Sequence, residues 1–130
     1  MGRFLEPLNV RRSDRTDTLP PKLVVRRLVE MFGPSLVAVI GRVKTTHTVR
    51  QWINGDTRPG EVSRLQLALA VTELILETEH DLSIIKAWMC GMNRRLGDRS
   101  PALVIATDTL RTARPDVIAA ARSFLAESVY

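Results

Sequence analysis

The chain is poor in the residue types that build most reactive sites, and it has no long apolar run. It holds one cysteine, two histidines, three Phe, two Trp and one Tyr. A lone Cys90 excludes an internal disulfide and a thiolate metal cluster, and its neighbours Trp88 and Met89 predict a buried small hydrophobe. His47 and His80 stand too far apart in sequence for a histidine metal motif, and no other ligand spacing points to a metal. Gly33, Gly41, Gly55 and Gly60 are scattered as helix ends, so no glycine-rich phosphate loop exists, and no Ser/His/Asp arrangement is suggested. Glu73 and Glu77 lie one helical turn apart, a spacing that predicts a solvated face in preference to a paired-carboxylate site. An enzyme is therefore not expected, nor any cofactor. No apolar run approaches the length of about 18 residues that a membrane span requires, so no membrane partner is expected either. The start, Met1 to Pro7, has no hydrophobic stretch before a small-residue cleavage site, which predicts a cytoplasmic protein.

What is present is charge, unevenly placed. With 130 residues, 45% apolar and 25% charged, the chain suits one globular domain, or two very small helical units sharing a core. Residues 1–60 carry eleven Lys or Arg against five acids, whereas residues 61–130 carry eight against nine. A basic half joined to a near-neutral half fits a polyanion-binding unit joined to a protein-contacting one, because phosphate neutralisation needs clustered cations. A solvated basic face would give the same count.

Helical spacing dominates the pattern. Residues 1–20, with Arg11, Arg12 and Arg15, show no sustained apolar period and read as a flexible basic arm. From Pro21, apolar residues recur at helical spacing until Gly33-Pro34, which stops one helix and starts another. Leu36, Val37, Ile40 and Val43 form a second stripe, and the chain turns at Lys44–Thr46. A third helix is predicted from about His47 to Asn54, closed by Gly55. Residues 65–76 are apolar nearly all round, which requires cover on every side, either as a central strut or partly in a homodimer interface. Asp81 caps a helix to Gly91, Ser100-Pro101 begins the next, and Pro115-Asp116 begins a last one to about Glu127. The expected fold is all-α, a helix-turn-helix unit at 21–64, the apolar helix at 65–79 and a small C-terminal helical bundle at 80–130.

The second and third helices have the layout of a helix-turn-helix, whose second helix enters the major groove of B-DNA, about 12 Å wide. Thr46, His47, Arg50 and Gln51 are the candidates for reading base edges: Arg to guanine, Gln to adenine, a Thr methyl to thymine. Arg42, Lys44 and Arg58 flank them as candidate phosphate contacts, and Arg11, Arg12 and Arg15 as an arm on double-stranded DNA. Val49, Trp52 and Ile53 are core on the back of the same helix.

Val49-Arg50-Gln51-Trp52-Ile53-Asn54-Gly55, followed by Arg58-Pro59, is similar to the end of the recognition helix in Xre-type repressors. Residues 87–103, with Trp88, Leu96-Gly97, Ser100-Pro101 and Leu103, resemble the toxin-binding domain of MbcA/ParS antitoxins, with Asp98 in place of the usual second glycine. What the resemblance implies is a type II antitoxin that represses its own operon and neutralises a RES-domain toxin that degrades NAD. It also implies a homodimer or larger assembly, and partner-binding roles for Trp88, Leu96, Phe124 and Tyr130. A stand-alone repressor, such as a phage immunity repressor, and a module whose basic face binds an acidic protein are the alternatives.

Overall fold

The computed structural model describes residues 18–127. Arg11, Arg12, Arg15 and Tyr130 lie outside that range. The described chain is all-α: α1 (Pro21–Phe32), α2 (Pro34–Ile40), α3 (Thr46–Asn54), α4 (Val62–Leu76), α5 (Leu82–Cys90), α6 (Pro101–Thr107) and α7 (Leu110–Glu127), with a 3₁₀ turn at Arg94–Leu96. Among the described residues no helix is long and apolar enough to cross a membrane.

Local chemistry sets most boundaries. α1 starts on Pro21, where the missing N–H is no loss, and ends at Gly33, whose φ of 86° a side chain would resist. Pro34 then opens α2 in the same way. Thr45, in extended backbone, caps α3 by accepting a hydrogen bond from the Thr48 N–H, and Gly55 closes it in the left-handed region. The Asp81 carboxylate and the Ser100 hydroxyl cap α5 and α6 through the N–H groups of Ser83 and Leu103. Between them the chain reverses at Gly97 and Asp98, both left-handed.

α4 is the strut. It packs against α1, α2, α6 and α7, and Leu67, Val71 and Leu74 are all buried within the single chain, so their cover needs no second copy. One continuous core runs from Val24 and Leu28 through α4 to Val117 and Ala121. The two halves therefore stabilise each other by shared apolar burial, at roughly 25 cal/mol per Å² removed from water.

Four expectations are corrected. The last helix begins at Leu110, not at Pro115, because Ala113 and Val117 continue its buried face and the Thr109 carbonyl accepts the Ala113 N–H at 2.8 Å. Pro115 sits inside it. Cys90 is exposed: α5 turns Ile85 and Met89 inward, and the next residue, about 100° further round, faces out. Glu73 is not solvated but 3% exposed, because α4 is enclosed, and its Oε1 lies 3.9 Å from Nη1 of Arg27. Leu96 is 4% exposed, held in the core by the corner it closes, and so is not available to a partner.

Candidate nucleic-acid interface

α3 is amphipathic, and its two faces have different fates. Val49 and Trp52 are buried against α1 and α2, with Ile53 packed at the edge of the same core. His47, Arg50 and Asn54, at i, i+3 and i+7, form one exposed stripe, with Gln51 half-buried beside it. α3 begins at Thr46, one residue earlier than expected, and Thr46 is half-buried. Asn54 was missed as a candidate although its spacing from Arg50, one turn, is legible in the sequence.

The angle between α2 and α3 depends on a glycine. A Cβ at Gly41 would stand 2.7 Å from Cη2 and 2.9 Å from Cζ3 of Trp52, so the turn backbone lies directly on the indole. Here glycine is required for space, since its φ of −79° is open to any residue. Arg42 follows with φ 61°, a left-handed conformation that bulky side chains rarely adopt.

The flanking cations divide into two groups. Lys44 and Arg58 are exposed at the two ends of α3. Lys22 joins them from α1: its Nζ lies 3.8 Å from where a Cβ on Gly55 would be, which places a further cation at the C-terminal end of α3. Nothing local in the sequence reveals that proximity. Arg42 is used differently, since its Nη1 donates to the Ala106 carbonyl at 3.3 Å, tying the turn to the end of α6. The rest of its guanidinium stays exposed beside Lys44.

That end of α6 gathers two more arginines. Nη1 of Arg64 donates to the carbonyls of Ile105 and Asp108 at 2.7 and 2.6 Å, and its Nε bonds Glu61 at 2.8 Å. Arg99 pairs with the Asp108 carboxylate through two bonds of 2.6 and 3.0 Å. Hydrogen bonds from Arg99 hold the Asp108 carboxyl below its ordinary range, against the opposing effect of burial, and the same contact raises Arg99. Guanidinium donors thus satisfy carbonyls that a helix C-terminus leaves without partners.

In the C-terminal half, Trp88 and Phe124 are half-buried and stack at a tilt, with ring centroids 6.0 Å apart. Comparison with protein-family models, with curated proteins and with solved structures returns no match for this chain.

Proposed function

We propose that this chain is a sequence-specific, double-stranded DNA-binding repressor that reads the major groove with α3. The observation that carries this reading is the uncovered polar stripe His47, Arg50 and Asn54 on a helix anchored from behind by Trp52. Nine residues make a helix about 13 Å long, which one major groove accepts, and its N-terminal N–H groups and dipole favour phosphate. Arg50 and Gln51 take the base-reading roles, with His47 and Thr46 at the leading turn. Lys44, Arg58 and Lys22 take phosphates, raising affinity and salt dependence without choosing sequence.

The finer form of the proposal, supported by the resemblance of residues 87–103, is a repressor of antitoxin type with a RES-domain toxin as its partner. A stand-alone repressor shares the DNA surface and lacks that partner, so copurification of the full chain with a coexpressed RES toxin separates the two. DNA binding is tested by fluorescence anisotropy of the full chain with a random-sequence duplex over a range of salt, followed by selection of preferred duplexes. A salt-sensitive complex and an enriched site are expected. No complex, or a complex without any preferred site, overturns the reading.

A further inference from the structure

The C-terminal half carries a cleft that the DNA-binding reading does not use. α7 presents Ala120, Ser123, Phe124 and Glu127 along one stripe, at i, i+3, i+4 and i+7, facing the end of α5 and the chain that follows it. Ala120 and Ser123 are small and set the floor back, opening a space of about 470 Å³. Trp88 and Phe124 give it an aromatic base. Met92, on its rim, is 85% exposed, an apolar side chain whose three rotatable bonds let it fold over whatever enters.

Its polar groups are asymmetric. Arg94 and Arg95 are both exposed on one wall, and among the described residues neither side chain makes a hydrogen bond or an ion pair. Glu127 stands as the acid among the lining residues. The indole N–H of Trp88 is shielded from water and has no acceptor among the described residues.

We propose that this cleft is a docking site for an acidic peptide segment of another protein, one that inserts an aliphatic or aromatic side chain against Trp88, Phe124 and Met92. An aspartate or glutamate beside that anchor meets Arg94 and Arg95. Charge complementarity decides the class of occupant: two guanidiniums without a partner among the described residues repel a basic segment and pair with carboxylates. Shape argues against the same cleft of a second copy, since two concave surfaces face to face leave a void where contacts are needed. An extended or helical segment is convex and fills it. The inference does not depend on DNA binding, which is carried by α3.

The test is selection of random peptides displayed on phage against the full-length chain, followed by affinity measurement on the wild type, R94E/R95E and Ser123→Leu, with circular dichroism confirming that each folds. Selected peptides are expected to share an apolar anchor flanked by Asp or Glu, and to bind R94E/R95E about tenfold more weakly, as two partly exposed charge pairs imply. Peptides with Lys in place of the acids are expected to recover affinity for R94E/R95E only, and Ser123→Leu, which fills the floor, to weaken every selected peptide. A selection without acidic bias, or equal binding to wild type and R94E/R95E, overturns the proposal. So does a loss of duplex affinity in R94E/R95E with peptide binding unchanged, which assigns the arginines to nucleic acid.

Discussion

The indole of Trp52 rests on the backbone of Gly41 so closely that a single added carbon at position 41 would stand 2.7 Å from Cη2. This contact sets how α3 leaves the turn, because the ring belongs to the helix and the glycine to the end of α2. Gly41→Ala is predicted to destabilise the fold by about 1–3 kcal/mol through overpacking, measured by urea denaturation. Gly60→Ala, where an added Cβ meets nothing within 4 Å, is the control and is expected to shift the midpoint little.

The residues proposed to read bases and those proposed to contact phosphates are predicted to fail in different ways. Arg50→Ala with Gln51→Ala should abolish preference for a selected site while thermal stability is kept, each good base contact contributing about 1–3 kcal/mol of discrimination. Lys44→Ala, Arg58→Ala or Lys22→Ala should weaken all duplexes alike and reduce the slope of log K against log salt by about one each. Anisotropy titrations with selected and scrambled duplexes distinguish the two patterns. A uniform loss from the Arg50 and Gln51 pair would move them from reading to neutralisation.

Arg64 is predicted to be the main polar link between the halves. Its side chain is 11% exposed and serves two carbonyls, so Arg64→Leu leaves both without that donor, at a cost of about 2–3 kcal/mol. Arg64→Lys should restore only part, since an ammonium cannot reproduce the fork that reaches Glu61 and the carbonyls together. Denaturant titration measures both, and an unchanged Arg64→Leu midpoint would show the link to be dispensable.

Acid should loosen the same corner and, separately, the start of α5. Asp108 is held below its ordinary value of 3.8, first by hydrogen bonds from Arg99, and Asp81 is held below its own by the Ser83 hydroxyl and N–H. A carboxyl whose folded pKa is depressed contributes stability that is complete above the unfolded value and lost as pH falls through the folded one. The loss is therefore expected below about pH 4. Asp108→Asn should be less stable than wild type at neutral pH and converge with it in acid. A gap that stays constant across the titration would remove Asp108 from the acid response.

Much of this molecule was legible because its chemistry is local. Proline at a first helical position, Ser100 and Asp81 as caps, and Gly33 and Gly55 as stops act through neighbouring backbone groups, so composition and spacing suffice to place them. Pro115 misled for the same reason. Read locally it starts a helix, yet the buried face through Ala113 and Val117 carries α7 across it, tertiary packing outweighing one missing hydrogen bond.

By itself, the sequence determined the all-α class, the order of helices and the outward stripe around Arg50, since 3.6-residue periodicity and capping need no distant partner. Only the tertiary structure decided that Arg42 tethers α6, that Lys22 reaches the end of α3, that Glu73 and Leu96 are enclosed, and that Trp88 and Phe124 border a cleft. Each of these relations joins residues far apart in the chain or depends on which neighbours cover a face. Such relations arise from the packing of whole helices around α4, and no short window of sequence contains them.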